Sequence, residues 1–347
     1  MAGKPVVVDA HFHHVPLAVY EKLDALVLED VEAKRLQMKC RDPVYAGSKA
    51  NTLLRDLDAT LRFMDEVGID VSILQMPSWS VAGLDVCRVL NDGLAKAARD
   101  NPARFLPVAS VPYINGQASL DELTRVREEL GFAGISILTS HKDVRLDDVS
   151  LRPYFRKAAA LGLVILVHPP TQAKGIWGGT RWEMDSSVSR QYENVKCFTE
   201  VLHGLLPEVE GLRFLFSHFG GGVPSLLGRI KSWYRPPPRA GIDATHIELP
   251  MTIAEFEDHG LAPYFDSLME HCWFDVAGTG GVLSEVPHAM SVISPDRLCF
   301  GTDYPHEMAR PRDARAYWEG VAGLDAPEAA KRGILGGNAL DLLGWKK

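Results

Sequence analysis

Eight short apolar, β-branched runs, each bounded by turn-forming residues, constrain this chain more than any other feature of its sequence. They lie at residues 6–13, 71–76, 105–112, 134–138, 164–168, 213–218, 272–276 and 297–303. Stretches with helical spacing separate most of them. Leu54, Leu57, Leu61 and Met64 recur at helical intervals, and Gly68 stands where a C-terminal cap belongs. Ser119 precedes a helical run that ends at Leu130 and Gly131, and residues 151–162 read as another helix, ended by Gly162 and feeding Val164. Strand followed by helix, repeated, is the pattern of a parallel sheet, and eight strands suit its closed form. The predicted fold is therefore α/β, a (β/α)8 TIM barrel with long loops at its C-terminal face. The 347 residues, 46 % hydrophobic and 24 % charged, are enough for a large core, and such barrels pass 300 residues as one domain, so residues 1–347 are read as a single domain. Three long connections, residues 15–52, 171–196 and 232–262, are expected to build the pocket.

Charge narrows the partners. The net charge is −8 with no cluster of Lys or Arg, which excludes a nucleic-acid or anionic-membrane surface and leaves a small molecule as the expected ligand. The five cysteines are scattered, with no Cys-x-x-Cys pair, and read as reduced thiols of a cytoplasmic protein. No secretory signal and no apolar span long enough to cross a membrane is visible.

The chemistry gathers where the runs end. His11 and His13 alternate at the end of the first run, so both imidazoles face one side, toward the barrel interior if Asp9 does too. His-x-His is a weak motif by itself. However, His168 ends Val164-Ile165-Leu166-Val167, His218 ends Phe214-Leu215-Phe216-Ser217, and Asp303 ends Cys299-Phe300-Gly301-Thr302. In a barrel the carboxyl ends of all strands meet at one mouth, so these groups converge. Imidazole and carboxylate together suit one divalent metal, with zinc expected and Mn2+ or Fe2+ compatible with the same donors.

These motifs resemble the decarboxylase-like branch of the amidohydrolase superfamily, typified by aminocarboxymuconate semialdehyde decarboxylase. The resemblance rests on Asp9-Ala10-His11-Phe12-His13, Val167-His168-Pro169, Phe216-Ser217-His218 followed by Gly220-Gly221-Gly222, and Gly301-Thr302-Asp303-Tyr304-Pro305. Shorter likenesses at Asn101-Pro102-Ala103-Arg104-Phe105, Leu130-Gly131-Phe132 and Gly337-Asn338-Ala339 extend it over nearly the whole chain. It implies that His11, His13, His168 and Asp303 are the metal ligands, and that His218 is the catalytic acid/base beside a metal-bound water; by its chemistry Asp303 can also share a proton with that water. It also implies that Arg235, in Tyr234-Arg235-Pro236, reaches a neighbouring subunit's pocket to hold a substrate carboxylate, and hence a homodimer. A second arginine that the family carries in the first long loop has no match here, Arg41 and Lys49 being displaced, and Phe219 replaces a glycine. The implied activity is a metal-dependent, cofactor-free decarboxylase of an aromatic or conjugated carboxylic acid. Hydrolysis of an amide, lactone or carbon–carbon bond is the alternative use of the same parts, and a hydratase a third.

Other polar residues have simpler readings. His14 faces the opposite side of its strand from His13 and is read as packing or surface. His141 and Lys142 are read as a solvated loop rather than a second metal site, and His306 and Glu307 as loop residues within reach of the pocket. The three glycines lack the lysine of a phosphate loop and point to close backbone approach, with Pro224 opening the next helix. Trp177 and Trp182 read either as an aromatic wall over a planar substrate or as packing or dimer-interface residues.

Overall fold

The computed structural model describes residues 4–114, 116–141, 144–170, 185–237, 242, 250–278 and 280–345. Eight staves run in chain order: β1 (Val8–His13), β2 (Val71–Gln75), β3 (Phe105–Pro107, resuming at Ala109–Ser110), β4 (Gly134–Leu138), β5 (Val164–His168), β6 (Phe214–Phe216), β7 (Cys272–Asp275) and β8 (Leu298–Cys299). Each is paired in parallel with the next. Val108 interrupts β3, but its N–H donates to the Leu74 carbonyl at 3.0 Å and keeps the stave joined to β2. The chain leaving β8 runs along β1, with Ala10 N donating to Phe300 O (2.8 Å), Asp303 N to His11 O (2.9 Å) and His13 N to Tyr304 O (2.9 Å). These bonds close the barrel, so neither β1 nor β8 is a free edge.

The staves are apolar at nearly every position because both of their faces are covered. Val8, Ala10, Val71, Ile73, Val108, Val164, Leu166, Leu215 and Cys299 fill the lumen, and Ala339, Leu342 and Leu343 of the C-terminal helix Asn338–Leu343 join them. Alternate residues such as Ile165, Val167, Phe214 and Phe216 pack outward in the larger core.

One irregularity decides where the chemistry points. The β1–β2 register pairs Asp9 with Ser72 and Phe12 with Leu74, so β1 carries one extra residue between them. A one-residue bulge reverses the facing of the residues after it. Val8 and Ala10 face the lumen, Phe12 packs outward beside Phe63, and His11 and His13 turn to the lumen beyond the bulge. The simple alternation expected to carry Asp9 along with the two histidines does not hold.

The first long connection is not a loop. It folds into helices Leu17–Ala25, Val31–Arg41, Pro43–Ala46 and Lys49–Arg55, the last three capped by the side chains of Asp30, Asp42 and Ser48. Leu54 thus belongs to a different helix from Leu57, Leu61 and Met64. Asp56 caps the new start and Gly68 ends that helix, Leu57–Val67, at φ 88°. Trp177, Trp182 and Lys142 lie outside the described residues. No helix among the described residues is long and apolar enough to cross a membrane.

Candidate metal centre

The five residues singled out at strand ends come together at the C-terminal mouth of the barrel. His11, His13, His168 and Asp303 are buried and each offers a donor atom within 4.8 Å of the others. His11 Nε2 stands 3.1 Å from His13 Nε2, and Asp303 Oδ1 stands 3.0 Å from His13 Nε2 and 3.5 Å from His11 Nε2. The far nitrogens of the rings are committed elsewhere: His13 Nδ1 lies 3.1 Å from Gln75 O and His168 Nδ1 lies 2.7 Å from Pro169 O. If each Nδ1 carries the proton, both Nε2 atoms present lone pairs to the centre.

A residue that the sequence reading passed over anchors this arrangement. Asp275, the last residue of β7, is buried and uses both oxygens. Oδ2 lies 2.8 Å from His11 Nδ1, while Oδ1 accepts from the N–H groups of His218 (2.9 Å) and Ala277 (3.1 Å). One carboxylate therefore orients a histidine of the four-donor group and the backbone of His218 together. Asp9 has a different task. It accepts from the N–H groups of His11 (3.1 Å) and Thr302 (3.0 Å) and from the Thr302 hydroxyl (2.5 Å), which ties β1 to the segment carrying Asp303. Burial pushes its carboxyl up to about 7, only partly offset by Thr302.

His218 and Asp303 lie beyond their strands rather than at the ends of them. β6 stops at Phe216 and β8 at Cys299. His218 (φ 55°), Phe219 (54°), Gly220 (63°), Gly221 (74°) and Gly222 (99°) form a left-handed turn, and Asp303 is also left-handed (φ 53°). Such geometry costs about 1–2 kcal/mol at each non-glycine residue. The glycines are needed for contact as well as conformation: a Cβ on Gly221 would fall 2.0 Å from the Gln191 carbonyl oxygen. Gly278, across from the turn at φ 88°, does the same for the catalytic candidate, since a Cβ there would fall 2.2 Å from His218 Nδ1.

The donor set fits a cation. His168 Nε2 and both ring nitrogens of His218 are buried without a hydrogen-bond partner, an expensive state unless something positive or protic meets them. Burial opposes a charge on His11, yet the Asp275 and Asp303 carboxylates push it up to about 9, so the centre draws in a proton when no other positive charge is there. Burial would raise the Asp303 carboxyl, but His11 and the His13 hydrogen bond hold it well below the usual carboxylate range. Burial, helped by the His11 charge, keeps His168 well below its usual range and takes His218 down to about 4. Both rings are thus neutral and able to donate electrons or accept a proton.

The remaining predicted residues fall elsewhere. Arg235 lies past the end of the helix that begins at His218, its Nη1 donates to the Tyr234 carbonyl (2.8 Å), and its charge is not among the leading ones acting on the cluster. His14 is buried, away from the cluster. His141 is not in a solvated loop: it is buried in a small hairpin, Ser140–His141 against Val144–Arg145, with Nε2 3.9 Å from Glu32. His306 and Glu307 are exposed at the mouth, the His306 ring 5.3 Å from that of His13 and Glu307 Oε2 accepting from Gly280 N at 3.1 Å.

Comparison with known proteins agrees with this architecture. The chain is 25 % identical over 297 residues to a 2-amino-3-carboxymuconate-6-semialdehyde decarboxylase of Dictyostelium discoideum, covering 83 % of this chain and 77 % of that one. It shares its fold with 5-carboxyvanillate decarboxylase from Sphingomonas paucimobilis (TM-score 0.77, 20 % identity, 98 % and 99 % of the two chains). A dihydroxybenzoic acid decarboxylase from Polaromonas, solved with manganese and the inhibitor 2-nitroresorcinol, has the same fold (TM-score 0.69, 21 % identity, 99 % and 98 %). The amidohydrolase family model matches residues 8–345, and this chain belongs to that family.

Proposed function

We propose that this protein is a metal-dependent decarboxylase of an aromatic or conjugated carboxylic acid that uses no organic cofactor, with His11, His13, His168 and Asp303 holding one divalent ion. The observation that carries the proposal is His218, whose buried ring makes no hydrogen bond and whose backbone N–H is held by Asp275 beside the four-donor cluster. When bound, the ion supplies a fixed positive charge that holds and polarises an oxygen of the acid. The chain's own residues do the rest. Asp275 fixes His11 and the His218 backbone, and burial leaves the rings of the cluster almost no contact with solvent. His218, neutral and with Asp303 adjacent, is placed to take up a proton and pass it to the carbon that bears the carboxylate. That carbon gains a proton, the bond to the carboxyl carbon breaks with its electron pair returning to the conjugated system, and carbon dioxide leaves. The names of the relatives and the manganese in a structural neighbour support the reading.

The histidine-rich donors favour zinc, and the carboxylate among them equally accepts manganese or iron. We further propose that the chain acts as a single domain in the cytoplasm, in keeping with five unpaired cysteines of which four are buried. Arg235 and the exposed Trp233 beside it favour a homodimer in which Arg235 serves the partner's pocket.

The test is elemental analysis of the purified protein followed by a screen of hydroxybenzoates and conjugated acids with detection of carbon dioxide. One metal per chain and carbon dioxide release that stops on chelation and returns with zinc or manganese are expected. Two metals per chain, or product formed without carbon dioxide, would overturn the proposal.

A further inference from the structure

Glu307 is the acidic residue of the mouth to which the chemistry above gives no task. It lies on the segment leaving β8, four residues beyond Asp303, and its backbone is fixed there, Glu307 N donating to Asp303 O at 3.0 Å. Its side chain is exposed, yet one carboxylate oxygen lies within 4.8 Å of a ring nitrogen of His218 and of an oxygen of Asp303. That imidazole is buried, and neither of its nitrogens has a partner. The carboxylate is held in place. Gly280 N, on the connection after β7, donates to Oε2 at 3.1 Å, and a Cβ on Gly281 would fall 3.4 Å from Met308 Cε, so the two segments are in contact. Among the described residues Glu307 forms no ion pair, and Oε1 accepts no hydrogen bond.

A fixed carboxylate beside the proton carrier acts on whatever group a bound acid carries there. Two hydrogen bonds of about 2.8 Å together span up to ~5.6 Å, so one polar group of a ligand fits between Glu307 and His218, whose facing atoms are no more than 4.8 Å apart. A hydroxyl in that gap can donate to Glu307 and accept from the imidazole. A second carboxylate there would meet Glu307 as a like charge, with no cation of the pair to offset it. We propose that Glu307 is a specificity-determining residue of this centre: it accepts a hydrogen bond from a donor group on the bound acid and repels a second carboxylate, so the site selects monocarboxylic acids that bear such a donor. This rests on the reading of the centre as a site for a carboxylic acid.

The experiment measures calorimetric binding of benzoate, 2- and 3-hydroxybenzoate, phthalate and isophthalate to the metal-loaded protein, with metal content and thermal melting recorded for every variant. Hydroxyl and carboxylate are thus compared at the same ring positions, and benzoate carries neither. The unaltered protein is expected to prefer at least one hydroxybenzoate to the matching dicarboxylate. Glu307→Gln keeps an oxygen for the Gly280 N–H but turns an NH2 toward the cluster in place of a charged acceptor. In that variant the preferred hydroxybenzoate should bind ~10-fold more weakly and the dicarboxylate ~10-fold more tightly, with benzoate binding and metal content unchanged. Glu307→Ala is expected to shift the preference in the same direction and serves if the glutamine variant melts early. An equal loss for every acid, unchanged binding of the hydroxybenzoates, metal lost along with the side chain, or an unaltered protein that takes the dicarboxylates as readily as the hydroxybenzoates would overturn the proposal. Carbon dioxide release is read separately. A Glu307-dependent preference in a protein that releases none from any acid leaves the selection standing and removes the decarboxylase, and release whose preference among acids ignores Glu307 does the reverse.

Discussion

Glu122 and Asp303 are both buried carboxylates set among basic side chains, and the difference between their surroundings separates a structural cluster from a chemical one. Glu122 Oε1 accepts from Asn91 Nδ2 (3.0 Å) and Arg125 Nη2 (2.8 Å), and Oε2 from Arg125 Nε (2.8 Å) and Arg88 Nε (3.2 Å). Asn91 in turn pairs with the Ser110 backbone on β3 through both its oxygen and its nitrogen. Both oxygens of Glu122 and both polar atoms of Asn91 are thus satisfied, so the network has no capacity for a ligand and instead locks two helices onto the barrel. At the mouth the carboxylate lies among imidazoles: the far nitrogens of His11, His13 and His168 are bonded, while His168 Nε2 and both ring nitrogens of His218 stay bare. What marks a site in this barrel is therefore not buried charge but unmet donor atoms converging on one point.

That contrast can be broken from either side. The largest effect is expected at His218: His218→Asn should lower kcat by ~10²- to 10⁴-fold with metal content intact, as measured by turnover and elemental analysis on one preparation. An active variant would remove His218 from proton transfer and leave its bare nitrogens without a use. Next comes Asp275→Asn, which keeps the shape but weakens the hold on His11 and on the His218 backbone. A fall of ~10- to 100-fold in metal affinity or in kcat is expected, read by metal titration and steady-state kinetics. If both stay at the level of the unaltered protein, Asp275 belongs with the structural cluster instead.

The smallest change in activity, and a change in stability in its place, is expected at Glu122. Glu122→Gln should cost ~1–3 kcal/mol in denaturant unfolding and leave kcat alone. The pH dependence gives the sign. Burial would raise the Glu122 carboxyl, but hydrogen bonds from Arg125 and Asn91 hold it below the ordinary value near 4.5. Its stabilisation is then complete above that value and lost as pH falls through the depressed folded value. The gap between the two proteins should close in acid, and a gap independent of pH would show that the charge on Glu122 is not what matters.

Much of this was legible because a barrel converts chain position into space. A polar residue that ends an apolar run must emerge at the mouth, which is why His11, His13, His168, His218 and Asp303 could be picked out. The same signal was present for Asp275 after Trp273-Phe274 and would have found it. Three of the four short helices of the first connection were also signalled, by Asp30, Asp42 and Ser48 at cap positions, but their few apolar residues hid the periodicity.

By itself the sequence determined the order of strands and helices, the parallel barrel that this order demands, and the identity of the side chains delivered to its mouth. Those come from local rules: hydrophobic periodicity, turn chemistry, and the alternation that gives every strand end one destination. Tertiary structure alone decided which way the delivered groups face and what holds them there. The bulge in β1 turns His11 and His13 inward, the left-handed turn lifts His218 clear of its strand, and Asp275 joins the two from 264 residues along the chain from His11. Each of these is settled by contact between segments distant in sequence, where one extra residue or one missing Cβ moves a donor atom into or out of the centre.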